Sequence, residues 1–253
     1  MSVWITGDTH GDWIHRLNKS SFPEQKEMTK DDLVIVCGDF GIWDNSKTEK
    51  YKLDWLESRS FTTAFVSGNH ENFDILDAMP CGMWHGGKVN FIRSSVIHLM
   101  RGQVFDIEGK LFFTFGGASS HDISAGILDP DDPDFRKKKK RLDADPFASY
   151  RINHVSWWER ELPTEEEMQE GIRNLKKYKN KVDYIITHSP DNFALRMIDD
   201  DSGVYKSDRL TDYLQMVKQT TDYKQMFFGH MHVNRNFYGE KATCIYEQIL
   251  RIL

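Results

Sequence analysis

At 253 residues and 39% hydrophobic, the chain is long enough for one large domain or two small ones, with a core that needs no disulfide or metal staple. Three scattered cysteines exclude a disulfide scaffold and a cysteine-based zinc module, and a formal charge of −6 argues against indiscriminate DNA binding. No apolar run approaches the roughly 18 residues of a membrane span, so a cytoplasmic protein with no membrane partner is expected.

Val3–Ile5 reads as a strand from the outset, which leaves no room for a charged leader and an apolar signal core. It leads into Thr6-Gly7-Asp8, and the next apolar run, Leu33–Cys37, leads into Gly38-Asp39. Lys47–Ser58 has helical period, with Tyr51, Trp55 and Leu56 on one side. Thr62–Val66 is a strand running into Ser67-Gly68-Asn69. Val96–Met100, Val104–Ile107 and Leu111–Phe115 are separated by Arg101-Gly102-Gln103 and Glu108-Gly109-Lys110, which predicts an antiparallel meander. From Ser119 to Trp157 periodicity almost vanishes, and a long ordered loop over about 119–160 is expected. Thr164–Lys177 reads as a helix, with Glu165, Glu166 and Glu167 in the first turn, where the macrodipole favours anions. Val182–Ile186 and Met226–Phe228 are strands ending in Thr187-His188 and Gly229-His230, and residues 238–253 add one more apolar stretch. Runs of four to six apolar residues without alternation read as strands buried on both faces. The pattern predicts a single α/β domain over 1–253, without repeats or a linker.

In open α/β sheets, ligands bind beyond the carboxyl ends of the strands. The residues just past the apolar runs are Asp8, His10, Asp39, Asn69, His70, His188, His230 and His232, all metal donors or acid–base groups. A chance Asp-x-His is expected about once in such a chain, so Asp8-Thr9-His10 alone means little, whereas Gly68-Asn69-His70-Glu71 is expected roughly 0.002 times. The order of the five pieces and their placement at strand exits carry the argument. Two divalent ions about 3.5–4 Å apart can clamp the attacking and leaving oxygens of a phosphoryl transfer. Such a pair needs a bridging carboxylate, neutral imidazoles and open positions. The glycines before Asp39, Asn69 and His230 permit sharp turns and close approach.

Asp8-Thr9-His10, Gly38-Asp39, Gly68-Asn69-His70-Glu71, Thr187-His188 and Gly229-His230-Met231-His232 resemble the five blocks of the calcineurin-like metallophosphoesterases. Gly116-Gly117-Ala118, Ser120, Asp122, Arg151, Trp157-Trp158 and Glu161-Leu162-Pro163 further resemble small bacterial and phage members of that group. The resemblance implies a four-layer α/β/β/α sandwich with mixed sheets and a dinuclear site. It implies Asp8, His10, Asp39 and His232 on a first ion, with Asp39 bridging, and Asn69, His188 and His230 on a second. His70 would bind no metal and would serve as leaving-group acid or electrostatic stabiliser, with a bridging hydroxide as nucleophile. Manganese is the first choice of metal, with iron, zinc or nickel also compatible.

One departure weakens a protein-phosphatase reading. The Ser/Thr phosphatases continue the Gly-Asp block with Val-Asp-Arg, whose Arg holds phosphate and whose Asp supports the histidine; here those positions are Ile42 and Trp43. His70 therefore needs an orienting partner from elsewhere. Arg151 is a candidate for the substrate phosphate, since its fork suits phosphate, with a structural ion pair as the alternative. Asn69 and His121 are further candidates for substrate contact. His15, His85, His98 and His154 read as ordinary surface or partly buried histidines, Cys37 as core, and Trp157 and Trp158 as packing for the following helix. The basic run Arg136–Arg141 follows Asp129, Asp131, Asp132 and Asp134, so its field is largely cancelled and a nucleic-acid role is not favoured. The expected function is a metal-dependent phosphoesterase acting on a phosphorylated small molecule or nucleotide. A nuclease or cyclic-nucleotide phosphodiesterase is the alternative, and a non-catalytic scaffold is disfavoured because every ligand is present.

Overall fold

Apolar runs become strands and the polar stretches of helical period become helices in a computed structural model that describes residues 1–199 and 205–253. The chain begins β1 (Val3–Thr6), α1 (Trp13–Leu17), β2 (Leu33–Val36), α2 (Lys47–Glu57), β3 (Thr62–Phe65), α3 (Phe73–Asp77) and β4 (Cys81–Trp84). It continues through β5 (Gly87–Arg93), β6 (Val96–Leu99), β7 (Gln103–Ile107), β8 (Lys110–Phe115), β9 (Ile127–Leu128), α4 (Phe135–Asp143) and β10 (Arg151–Ile152). Then follow α5 (Glu165–Lys177), β11 (Tyr184–Thr187), α6 (Asn192–Asp199), α7 (Arg209–Thr220), β12 (Gln225–Phe228), β13 (Arg235–Phe237), β14 (Ala242–Cys244) and β15 (Ile249–Arg251).

Two mixed sheets organise these elements. The first has seven strands in the order β15-β1-β2-β3-β6-β5-β4, the second six in the order β13-β14-β12-β11-β8-β7. β1, β2, β3 and β6 run parallel in the first, and β8, β11, β12 and β14 in the second, with antiparallel strands at the flanks. Both faces of the central strands are buried, and their side chains alternate between two cores. Val34 and Val36 of β2 join Trp13, Leu56 and Leu76 from α1, α2 and α3. Leu33 and Ile35 of the same strand meet Phe112, Ile186 and Phe227 of the opposing sheet. Ile185 and Met226 turn away from that interface, onto Leu175, Leu195 and Leu214 of α5, α6 and α7. The layers are therefore helices, sheet, sheet, helices: a four-layer α/β/β/α sandwich. Phe112, Phe113 and Phe115 of β8 alternate between the two cores and are fully buried, each contributing roughly 1.5–3 kcal/mol of burial.

The predicted meander does not form as one sheet. β7 and β8 pair antiparallel, but β6 belongs to the first sheet, between β3 and β5. The turn at Arg101-Gly102 carries the chain across from one sheet to the other. Arg101 is buried there and donates to the carbonyls of Gly116, Arg160, Glu161 and Leu162 and to Glu167 Oε2.

The stretch expected as a loop holds β9, β10 and the nine-residue helix α4, built on the basic run. Six cations in a row repel one another in isolation. Here Lys138 pairs with Asp132 and Lys139 with Asp143, which offsets part of that repulsion. Trp158 also departs from expectation. It sits in the core of the first helical layer, edge-on to Trp43, and donates to Asp74 Oδ2 at 2.8 Å, rather than packing under α5. His98 is buried in β6 rather than partly exposed.

Candidate metal centre

Five parallel strands end at one seam. β1, β2 and β3 lie side by side in the first sheet and β11 and β12 side by side in the second, and their exits carry Asp8, Asp39, Asn69, His188 and His230. Backbone amides of one exit hold the carboxylates of another. His70 N donates to Asp39 Oδ1 at 2.8 Å, and His230 N donates to both Asp8 oxygens at 3.1 Å. Glu71 is fully buried and accepts from Phe40 N and Gly68 N at 2.7 and 3.2 Å, tying the second block to the third.

The convergence is tight enough to dictate glycine at two positions. A Cβ on Gly38 would stand 2.3 Å from His188 Nδ1, and one on Gly68 would stand 2.0 Å from Asp39 Oδ1. His10, Asp39, His230 and His232 themselves adopt φ of 46°, 44°, 65° and 50°. Each such non-glycine residue stores roughly 1–3 kcal/mol, and this kind of strain gathers at functional sites.

All ten residues singled out from the sequence border this seam. One ligand atom from each of Asp8, His10, Asp39 and His232 lies within 4.8 Å of the others. His10 Nε2 and His232 Nε2 are 3.2 Å apart, and His232 Nε2 is 3.2 Å from Asp8 Oδ2. Asp39 Oδ2 is 3.8 Å from His10 Nε2, while its Oδ1 is 3.3 Å from His188 Nε2. His188 Nε2 also lies 3.3 Å from Asn69 Oδ1, and its ring centroid is 5.0 Å from that of His230. His188 Nδ1 meets the Cys37 carbonyl at 2.8 Å, which fixes the ring with Nε2 facing the donors. Imidazole nitrogens and carboxylate oxygens thus face one another at short range. A divalent cation satisfies such a set, and the residues present fit one.

The fields agree. Burial alone lowers the His188 imidazole, but Asp39 and Asp8 overcome it and push it up to about 10. Burial opposes ionisation of Asp39, yet His188 holds it far below the ordinary carboxylate range. His230 is driven down by burial and by its neighbour His188.

His70 stands at the rim. Its Nε2 is 3.2 Å from Arg151 Nη2, which can only donate, so His70 accepts there. Burial lowers its basicity, against Asp39 and with Arg151. Arg151 is itself buried and bidentate to Asp122, at 2.7 and 2.9 Å. The residue supporting His70 therefore comes from β10, far along the chain, and not from the Gly-Asp block. Trp43, standing where a phosphate-binding arginine would be, packs on Trp158 instead. His121 borders the cleft with its ring 5.5 Å from that of His230.

Sequence reasoning assigned no role to several residues that complete the site. Asn69 Nδ2 donates to Ser120 Oγ at 3.3 Å, and Ser120 Oγ donates to Glu161 Oε2 at 2.7 Å. That chain turns the Asn69 oxygen towards His188. Burial pushes the Glu161 carboxyl up to about 8. Arg16 and Tyr246 were also missed. Arg16 donates to the Asp8 carbonyl, and the Tyr246 ring stacks on His232 at 4.6 Å. Ser120, Asp122 and Glu161 stood in the quoted family-like stretches, and nothing local marked Arg16 or Tyr246.

No helix among the described residues is long and apolar enough to cross a membrane. A family model described as calcineurin-like phosphoesterase matches residues 1–234. Among curated proteins the chain is similar to lariat debranching enzyme A of Xenopus laevis, 26% identical over 117 residues that span 40% of this chain and 22% of that protein. Among solved structures it is similar to a phosphopantetheinyl hydrolase from Mycobacterium tuberculosis, at 15% identity and a TM-score of 0.47, covering 100% of this chain and 95% of that one. With donors suited to a divalent cation at the seam and the family model spanning nearly the whole length, the chain belongs to the calcineurin-like phosphoesterases.

Proposed function

We propose that the protein is a dinuclear phosphoesterase. Asp8, His10, Asp39 and His232 hold one divalent ion, and Asp39, Asn69, His188 and His230 hold the other. The observation that carries this reading is the Asp39 carboxylate, which turns Oδ2 to His10 and Oδ1 to His188, one oxygen for each half of the cluster. When bound, the pair of ions supplies Lewis acidity at the phosphate and lowers the pKa of water.

The chain's own residues do the rest. Arg151, braced by Asp122, presents a fixed positive charge where negative charge grows on the phosphate oxygens. His70 rests neutral against Arg151. Once a phosphate oxygen replaces His70 as acceptor of the Arg151 Nη2 hydrogen, with the Asp122 bonds kept, Nε2 can take up a proton from solvent and give it to the leaving oxygen. Asn69, oriented through Ser120 and Glu161, serves a metal and lines the cleft beside His121. The oxygen and imidazole donors suit manganese, with iron, zinc or nickel as competitors. The substrate is a phosphorylated small molecule or nucleotide, acted on by one 253-residue domain. Three unpaired cysteines, two of them buried, favour the cytoplasm as its compartment.

The test is metal analysis together with turnover of a chromogenic phosphate ester in the presence of manganese. Two equivalents of metal per chain and metal-dependent release of the chromophore are expected. No turnover under any divalent metal would refute the reading.

A further inference from the structure

Two imidazoles of the donor cluster are held in different ways. His188 is fully buried, and its Nδ1 is fixed on the Cys37 carbonyl. His232 has its side chain 50% exposed and its Nε2 3.2 Å from Asp8 Oδ2, and no hydrogen bond reaches its Nδ1 from any described residue. A histidine that binds a metal almost always donates its second ring N–H to a carboxylate, carbonyl or water, which sets the orientation of the ring. Within the protein, His232 has no such partner.

What braces its ring is Tyr246. The two ring planes are 18° apart with centroids at 4.6 Å, so the phenol lies flat along one face of the imidazole. His10 meets the same imidazole edge-on, at 5.3 Å. Rotation of the His232 ring about its Cβ–Cγ bond would drive an edge into the flat phenol.

Tyr246 can act as a brace because both sheets hold it. Its carbonyl accepts from Gly7 N at 3.2 Å and from Arg16 Nη1, which ties it to the exit of β1, where Asp8 stands. One residue earlier, Ile245 N donates to the Phe228 carbonyl at 2.8 Å, at the end of β12, whose exit carries His230 and His232. Tyr246 N donates to Asn234 Oδ1 at 2.8 Å, two residues beyond His232. Arg16 also donates to the Asp8 carbonyl, and its guanidinium carbon lies 5.8 Å from the Tyr246 ring centroid. The segment approaches so closely that a Cβ on Gly7 would stand 2.1 Å from the Ile245 carbonyl oxygen.

We infer that Tyr246 is a positioning residue of the metal centre, whose ring does for His232 what the Cys37 carbonyl does for His188 and keeps Nε2 turned to Asp8 and His10. This rests on the dinuclear reading above, in which His232 serves the first ion. The role belongs to the aromatic plane, since the phenol hydroxyl makes no hydrogen bond with any described residue. Without the plane, the half-exposed imidazole samples other orientations, and binding must then freeze a ring that the fold had already oriented.

The experiment is a calorimetric manganese titration of the full chain, stripped with chelator, as wild type, Tyr246→Ala, Tyr246→Leu and Tyr246→Phe, with urea unfolding in chelator to confirm that each is folded. Tyr246→Ala should weaken one of the two binding steps by about 10–100-fold. Tyr246→Leu, which keeps apolar bulk without a flat face, should weaken the same step should the alanine variant fold poorly. Tyr246→Phe should restore wild-type affinity to within about twofold, a rescue that loss of the hydroxyl alone would not allow. Two wild-type equivalents with unmoved affinity in the alanine and leucine variants, or a phenylalanine variant as weak as the alanine one, would overturn the inference and leave the dinuclear reading intact. Wild type that takes up no manganese would overturn both.

Discussion

Asp39 does more than any other side chain in the seam, since both of its oxygens face imidazoles and one also accepts the His70 amide. On the proposed dinuclear reading, Asp39→Asn should therefore empty both metal positions, read by metal analysis after dialysis; a variant that kept two equivalents would remove Asp39 from its proposed bridging place. His70→Ala should keep both ions and slow turnover by about 10²-fold or more, the usual size of a lost acid–base group. If that variant instead lost a metal, His70 would be a ligand. Ser120→Ala tests the chain behind Asn69. Without the hydroxyl, nothing fixes which end of the amide faces the cluster, and metal affinity at the second position should fall about 10–100-fold in a manganese titration. These roles differ in how visible they are in sequence. Asp8, His10, Asp39 and the His188 and His230 exits announce themselves because glycine, acid and imidazole must stand together where strands end. Ser120 and Glu161 stood only in stretches quoted for family likeness, and their service to Asn69 exists only after folding brings Ser120 Oγ within 3.3 Å of it.

Among the elements, the crossing from β6 to β7 is the most exposed to a single substitution. Arg101 reaches four carbonyls and Glu167 from a buried position, so Arg101→Ala leaves those acceptors without a donor. A loss of about 3 kcal/mol or more is expected in urea unfolding. Arg101→Lys should recover only a minor part, because an ammonium lacks the planar fork. The sequence marked Arg101-Gly102-Gln103 correctly as a reversal. Turn chemistry specifies a change of direction and not which sheet receives the next strand, so the meander was legible as strands and illegible as a topology. α4 was missed for a different reason. A helix is recognised by an apolar stripe, and Phe135–Asp143 is nearly all charge, held by ion pairs with Asp132 before it and Asp143 at its end.

For the molecule as a whole, stability depends on pH through one buried residue that is no part of the donor cluster. His98 lies under β5, with Nδ1 2.9 Å from Asn90 Oδ1. Asn90 Nδ2 donates to the Met79 carbonyl, so its oxygen is the acceptor and His98 Nδ1 carries the proton. Nε2 is buried without a partner, and burial pushes the imidazole down to about 3. The folded protein thus keeps His98 neutral, whereas the unfolded chain takes up a proton below the ordinary value of 6.5. This contribution is complete above that value and is lost progressively as pH falls towards 3. By pH 5 it should cost about 2 kcal/mol relative to pH 7. Urea titrations in chelator should show that loss in the wild type and a shallower slope in His98→Gln; equal slopes would acquit His98. An α/β fold was legible, since unalternating apolar runs demand burial on both faces and helices between them supply the outer layers, whereas the doubling into two stacked sheets came only with the family resemblance. The link from Asp122 through Arg151 to His70 was not, because no local pattern joins residues so far apart.

That same link closes the segment 122–151 at its base, like a drawstring beside the donor cluster. Beyond the knot Leu128 is still buried, but no side chain of α4 is. Shortening or recharging that helix should therefore leave the donor cluster as it is.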